Sequence, residues 1–279
     1  MKVTEECYGC LQRLVHQAAN LATTDEKMRS AAINDGLEIL SRDFSLDQLS
    51  IAIATNIHKA IKEMTHNPDP YAEMKQKEIA VSKEIVEMIS VQYGQQFIDL
   101  LRFAALGNSI DFFRPLDEVI EQMKKPIELA IDDSKAFEEK IIHAKKVMYL
   151  ADNTGEAFFD LPLVKLLKQS TQVIYAVKGT PVQNDLTLDD LKKMNIDHEF
   201  GKVITTGTPT PGVIMEWASK EFRESFESAD LIIAKGMGYY EGLSELPAQG
   251  HVLHCLMTKC IPVTISIGVP LGSYVAFLR

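Results

Sequence analysis

Within five residues, Asp152-Asn-Thr-Gly-Glu156 gathers two hard oxygen donors, a hydroxyl, a glycine and a further carboxylate. The apolar run at 146–151 reads as a short buried strand and the stretch at 157–167 as a helix. A strand-to-helix turn of this composition places Asp152 and Asn153 where they can ligate a divalent cation. It also sets the amides around Thr154 and Gly155 at the positive end of a helix dipole, where they can hold a phosphate oxygen. Simple capping of the helix by Asp152, Asn153 and Thr154 explains the segment equally well. Residues elsewhere in the chain must decide between the two.

Three further turns fall in the same place. Lys178-Gly179 follow the β-branched run at 173–177, Thr206-Gly207 close that at 203–206, and Lys235-Gly236 follow that at 231–234. All four turns lie at the carboxyl ends of expected strands, the side on which open α/β sheets bind ligands. Beyond Lys178, Asn184-Asp185 supplies a third hard donor, so Asp152, Asn153 and Asp185 form an all-oxygen set. Such a set favours Mg²⁺ or Mn²⁺, with Co²⁺ or Ni²⁺ able to substitute. Thr187-Leu-Asp-Asp190 opens a helix in which Asp189 and Asp190 serve the dipole rather than a metal. Gly236 and Gly238 permit close backbone approach, and Lys235 beside them is a natural counter-charge for phosphate. Tyr239, Tyr240 and Trp217 either line a pocket or pack.

The elements that must position these residues follow from periodicity. Strands at the four runs above, then at 252–256 and 263–267, with helices between the earlier ones, predict a doubly wound, mainly parallel sheet. Residues 145–279 are thus a Rossmann-like α/β domain for metal and phosphate, with a last strand at 273–278 closing one edge. From Glu5 to Gly107 apolar residues recur at helical spacing almost throughout, so 1–144 reads as a helical cap domain packed on the sheet. Asn108 and Asp111 lie three apart on an expected helix at 104–112, which puts both on one face among apolar neighbours.

Composition narrows the class of protein. The chain has 279 residues, 46% of them hydrophobic, enough for a sizeable core. A formal charge of −10 argues against coating nucleic acid or an anionic membrane, which needs clustered Lys and Arg. The start of the chain lacks a signal-peptide pattern, and the apolar stretch at 261–278 is broken by Pro262, Gly268, Pro270 and Gly272. A cytoplasmic location is expected, and the helical region could serve as a cap, a homo-oligomer surface or both. Cys7-x-x-Cys10 could form a zinc site with Cys255, Cys260 or His254; reduced thiols, or a disulfide in a hyperthermophilic source, fit as well.

Six segments in order resemble DUF89, the damage-control phosphatase family, in its archaeal-type branch. They are Cys7-Tyr-Gly-Cys10, Asp69-Pro-Tyr-Ala-Glu-Met-Lys75, Gly107-Asn-Ser-Ile-Asp111, Asp152-Asn-Thr-Gly-Glu156, Lys178-Gly-Thr-Pro-Val-Gln-Asn-Asp185 and Asp230-Leu-Ile-Ile-Ala-Lys-Gly236. The resemblance implies a metal-dependent phosphatase acting on small phosphorylated metabolites, including sugar phosphates and phosphopantetheine-type compounds, and removing damaged or surplus ones. It implies that Asp152, Asn153 and Asp185 hold the metal and that Lys235, with Gly236, meets the substrate phosphate. It also implies that Asn108 and Asp111 line the substrate pocket. Where the family often has Asn, this chain has Tyr239, so the substrate class is not carried over with the metal set. On this reading Thr154 and Gly155 contribute amides to the phosphoryl group, and either a water or Asp152 attacks phosphorus in line. Glu156 and Asp111 are the candidates to orient that water or protonate the leaving oxygen. Two other readings are a non-catalytic phosphometabolite sensor using the same pocket, and a carboxyl methyltransferase, for which the Asp152–Glu156 loop and Lys178 at the end of the second strand lack the usual Gly-rich loop and strand-end acid.

Overall fold

The computed structural model describes residues 1–109, 121, 123, 125 and 127–279. Asp111 therefore lies outside the described residues. Helices α1 (Glu5–Ala22), α2 (Glu26–Asp43) and α3 (Ser50–Thr65) bury Leu11, Val15, Ile39, Leu40, Ile57 and Ile61 in a core of their own. Asp25 caps α2, its carboxylate accepting from the Met28 N–H at 2.9 Å. Helices α4 (Ala72–Ile89) and α5 (Phe97–Gly107) leave that bundle for the sheet, where Ile85, Leu101 and Phe103 share a core with Val147, Tyr149 and Tyr175. Asn108 caps the end of α5 instead of lying inside a longer helix.

The described strands are β1 (Leu129–Asp132), β2 (Lys146–Leu150), β3 (Gln172–Val177), β4 (Lys202–Thr205), β5 (Leu231–Lys235), β6 (Val252–Met257) and β7 (Tyr274–Leu278). The helices among them are α6 (Ser134–Ile141), α7 (Glu156–Leu167), α8 (Leu188–Met194), α9 (Lys220–Glu227), α10 (Gly236–Leu243) and α11 (Ile261–Ile267). They form one sheet in the order β1-β7-β6-β5-β2-β3-β4, with β2 to β6 parallel and β7 antiparallel to β6. Side chains alternate across it. Val147 and Tyr149 face α5 and α7, whereas Met148 and Leu150 face a second core with Phe222 of α9 and Tyr239 of α10.

Two expectations need correction. Residues 263–267 are helical, because Pro262 sits in the first turn, where its missing N–H costs nothing, and Cys260 provides an extended cap. The β-branched Val263, Thr264, Ile265 and Ile267 imitate a strand, but Ile265 is 74% exposed, as a helix face can be and a buried strand cannot. The last strand does not close an edge: β7 is paired on both sides, and β1, from before residue 145, takes the edge. Four residues long and alternately exposed, β1 gives little sequence signal. No helix among the described residues is long and apolar enough to cross a membrane.

The chain lays down β2, β3 and β4 outward, then returns to add β5 and β6 on the other side of β2. The turns after β2 and β5 consequently diverge, opening a crevice at the carboxyl ends of the strands.

Candidate active site

The turns after β2 and β3 are zipped together. Asn153 and Asp185 form an isolated antiparallel bridge, Thr154 N–H donates to the Asn184 carbonyl at 2.9 Å, and Leu186 N–H donates to the Asp152 carbonyl at 2.8 Å. This short ladder holds Asp152, Asn153 and Asp185 side by side. It also consumes groups that the sequence assigned to phosphate. The Thr154 amide and hydroxyl both donate to Asn184, the Gly155 amide donates to the Glu78 carboxyl, and Glu156 N–H donates to the Asn153 carbonyl at 3.1 Å. The first turn of α7 is thus satisfied within the protein and offers no free cradle.

Two glycines are required here. Gly236 has φ +76°, and a Cβ there would collide with the Asp152 carboxylate. At Gly155 a Cβ would collide with Ser82 and Glu78, so α4 reaches the turn only over glycine.

Behind the turns lies a buried charge network. Lys235 has no exposure; its Nζ donates to Glu156 Oε2 at 2.7 Å, Asp160 Oδ1 at 2.9 Å and the Ala104 carbonyl at 2.9 Å. Asp160 also accepts from Tyr149 Oη at 2.6 Å and Tyr175 Oη at 3.0 Å. Burial alone would push Glu156 up, but Lys235 and Asn108 hold it below the ordinary carboxylate value. Burial likewise opposes the charge on Lys235, and Asp160 and Glu156 overcome it. Lys235 therefore meets carboxylates beneath the site, and its direct contact with substrate phosphate does not emerge from the structure. Glu156 passes the order upward: its Oε1 accepts from Asn108 Nδ2 and Asn153 Nδ2, both at 2.8 Å. Asn108 also donates to Asp152 Oδ2 at 3.0 Å and accepts from Met257 N–H at 2.9 Å, tying α5 to the ends of β2 and β6.

A cavity of about 320 Å³ opens above these groups, lined by Asp152, Asn153, Asp185, Asn108, Tyr71 and Lys259 among others. Burial and the neighbouring Glu156 and Asp185 push Asp152 well above the usual carboxylate range. Burial also raises Asp185, although Lys178 lies 3.3 Å from its Oδ2. That Oδ2 is buried without a hydrogen-bond donor. Lys178 itself is fully buried, donating to the Gly212 carbonyl at 2.8 Å with its Nζ 3.9 Å from the centre of the Tyr239 ring. Tyr239 and Tyr240 are packing residues and Trp217 is 45% exposed. Asp190 is a cap, as expected: it accepts from Thr187 N–H at 3.1 Å and from Lys75 Nζ at 3.1 Å.

Sequence reasoning passed over Glu78. Its carboxyl accepts from Asn184 Nδ2 at 3.1 Å and from the Gly155 amide, so one α4 side chain grips the turns after both β2 and β3. Burial pushes it up to about 8 from 4.5. With its folded value raised, Glu78 holds a proton that the unfolded chain releases, so stability is lost as pH rises from 4.5 towards 8. The slope for one such group approaches about 1.4 kcal/mol per pH unit. Urea unfolding at pH 5, 7 and 9 should show this loss in the wild type and a flatter profile in Glu78→Gln; parallel profiles would exclude the burial argument.

The four cysteines are free thiols. Cys255 is buried in the core, and burial pushes its thiol up to about 12 and that of Cys260 up to about 11. Among the described residues no three His, Cys, Asp or Glu side chains converge as a metal group. The oxygen set accordingly consists of two carboxylates and an amide.

Carboxylates and amides at the carboxyl ends of a parallel sheet, beneath Gln17 of α1 and Met74 of α4, define an α/β protein with a polar cavity at its switch point, where such folds bind ligands. Comparison with known proteins narrows this class. Residues 3–275 match the model of the damage-control phosphatase ARMT1-like domain, and the chain belongs to that family. A damage-control phosphatase of Pyrococcus horikoshii is 33% identical over 282 residues, covering 99% of this chain and 97% of that protein. One from Archaeoglobus fulgidus is 32% identical over 287 residues, covering 99% of each. The crystal structure of a DUF89 family protein from Pyrococcus horikoshii superposes with a TM-score of 0.92 at 32% identity, covering 100% of this chain and 99% of that one.

Proposed function

We propose that this chain is a metal-dependent phosphatase that hydrolyses phosphomonoesters of small metabolites in the Asp152–Asp185 cavity. Phosphatase chemistry is what its family and its archaeal relatives are named for. The observation that carries the metal reading is the pair Asp152 and Asp185. Two turns bring these carboxylates into one cavity where each is raised by burial, and the one ammonium beside Asp185 Oδ2, that of Lys178 at 3.3 Å, does not bring Asp185 back to its ordinary value. A divalent cation resolves that excess negative charge, and an all-oxygen set suits Mg²⁺ or Mn²⁺, with Co²⁺ or Ni²⁺ as substitutes. Asp152, Asp185 and the Asn153 amide oxygen would hold it, the Asn153 nitrogen being turned towards Glu156. When bound, the cation supplies charge neutralisation for the phosphoryl oxygens.

The chain's own residues do the positioning. Asn108 and Asn153 both donate to Asp152 Oδ2, at 3.0 and 3.3 Å, which fixes the carboxylate and leaves Oδ1 as the oxygen to meet a cation or an incoming water. Glu156, being buried, acts through those two amides. Tyr71 lines the cavity with a buried hydroxyl that has no partner, and burial together with Asp185 raises its pKa. It therefore stays protonated and can donate to a phosphoryl oxygen or to the leaving oxygen.

A second cavity of about 480 Å³ shares Gln183, Pro211, Met237, Gly238 and Lys259 with the first. Its further walls include Leu11, Leu14, Ile51, Ala54, Ile261 and Leu271. An apolar annex of this kind favours phosphomonoesters with an extended alcohol, of the phosphopantetheine type, over compact sugar phosphates. Chelated protein with Mg²⁺, Mn²⁺, Co²⁺ or Ni²⁺ restored, assayed for phosphate release from both substrate types, tests this. Release only with a divalent ion, and faster from the extended esters, is expected. Binding of these esters without release would favour the sensor.

A further inference from the structure

The turn that carries Asp185 holds a residue in an uncommon conformation. Among the described residues other than glycine, a positive φ occurs at His66, Gln183 and Asn195. His66 and Asn195 end helices α3 and α8, where the left-handed conformation is ordinary. Gln183 ends no helix. Asp185 N–H donates to the Val182 carbonyl at 3.1 Å, closing a turn with Gln183 at its first central position and φ +45°. That position belongs to glycine, asparagine or aspartate, because a Cβ there crowds the following carbonyl oxygen and only a short polar side chain offsets the crowding locally.

The surroundings impose the conformation. Lys62 Nζ donates to the Pro181 carbonyl at 2.8 Å, Thr154 N–H to the Asn184 carbonyl at 2.9 Å and Asn184 Nδ2 to Glu78 at 3.1 Å. The chain is thus pinned on both sides of residue 183. Gln183 itself is not gripped: neither its carboxamide nor its own N–H and C=O enters any of the described hydrogen bonds. Backbone strain that neighbours hold in place is characteristic of functional positions. The place of Gln183 fits, since it lines both the polar cavity and the apolar annex. Pro211, Met237, Gly238 and Lys259 share that neck, and among these five only Gln183 has a side chain that both donates and accepts.

We propose that Gln183 is a specificity-determining residue of this site, its carboxamide pairing with an amide-like group in the alcohol, between the ester oxygen and the tail that enters the annex. The inference rests on the phosphatase reading and narrows the alcohols that the annex accepts. The carboxamide acts mainly by exclusion. An alkyl chain crossing the neck would cover Gln183 without pairing it, and an unpaired polar group costs more than a paired one gains. Gln183 therefore selects which ester is held, while the chemistry common to all esters stays with the Asp152–Asp185 turns.

The test uses two esters of equal chain length, N-butanoylethanolamine phosphate and n-heptyl phosphate, with para-nitrophenyl phosphate as a common reference. Phosphate release by wild type, Gln183→Met and Gln183→Gly, each loaded with Mn²⁺, gives a kcat/KM ratio for the pair, and urea unfolding gives a midpoint. Wild type should prefer the amide ester by about 10-fold, as for one hydrogen bond against an unpaired group. Gln183→Met keeps the length and the strained backbone, so its ratio should fall to about one or below with its midpoint within about 0.2 M of wild type. Gln183→Gly should lose the preference too, while its midpoint rises by roughly 0.3 M as the strain goes. A loosened Asp185 turn would slow both esters alike, so the ratio separates recognition from damage to the metal set. Equal rates on the two esters in wild type, a preference that survives Gln183→Met, or a Gln183→Gly midpoint no higher than wild type overturns the assignment alone. So does release from para-nitrophenyl phosphate with none from either ester. No release from any of the three overturns the phosphatase reading as well.

Discussion

Asp152→Asn is expected to abolish metal-dependent phosphate release while leaving the protein as stable as wild type, or more so. The substitution keeps shape and an acceptor for Asn108 and Asn153, which donate to Oδ2 at 3.0 and 3.3 Å. It removes the charge that crowds against Glu156 and Asp185. A carboxyl group whose folded pKa is raised lowers stability above its ordinary value and not below it. The gain of the Asn variant should therefore appear at pH 7 to 8 and vanish near pH 4. Loss of a metal ligand removes several kcal/mol of charge stabilisation, and about 4 kcal/mol is already a thousandfold in rate. Phosphate release and urea unfolding on one preparation check both halves. A variant that loses activity only because it unfolds would remove Asp152 from the chemistry. Activity set against stability in this way is common where function gathers like charges.

Lys235→Met should have the largest effect on folding. It leaves Glu156 and Asp160 buried without their shared cation, and breaking a buried pair by removing one partner costs about 3–5 kcal/mol. The sign with pH is set by which groups remain. In the wild type, Lys235 has a raised folded pKa, so its contribution is complete through the neutral range and is lost only at strongly alkaline pH. In the variant the stranded carboxyl groups can be relieved only by protonation, so the deficit should shrink as pH falls towards 5. Urea unfolding at pH 5 and 8 measures this. Equal stability of variant and wild type at pH 8 would show that the network contributes nothing to the fold. Catalysis should fall as well, because Glu156 would lose the anchor from which it aligns Asn108 and Asn153.

The convergence of Asp152, Asn153 and Asp185 on one cavity was legible because strand-end position and residue type coincide there, and the pairing of their turns needs only a parallel β2–β3 neighbourhood. Lys235 was legible as a strand-end residue but not as a buried one, since sequence does not show which way a side chain at a turn points. A signal was nevertheless there. Glu156 and Asp160 lie four apart on the largely apolar helix α7, and two acids on one buried stripe need a cation from elsewhere. Lys259 was hidden by the strand assigned to 263–267. Once those residues are a helix, 258–260 becomes another strand-to-helix turn at the carboxyl edge, and its lysine joins the site. Glu78 was masked in the same way, as a polar residue on an amphipathic helix that turns out to be buried against Gly155. The edge strand β1 was missed because Leu129-Ala-Ile131 is too short an apolar run to tell a strand from a helix turn.

Titrating Mn²⁺ into chelated wild-type protein while following both ion binding and phosphate release tests the central claim most directly. The account predicts that a single ion binds per chain, that release rises in proportion to occupancy, and that both are lost in Asp152→Asn. Full-rate release from chelated protein, or Mn²⁺ binding that survives Asp152→Asn and Asp185→Asn combined, would contradict it.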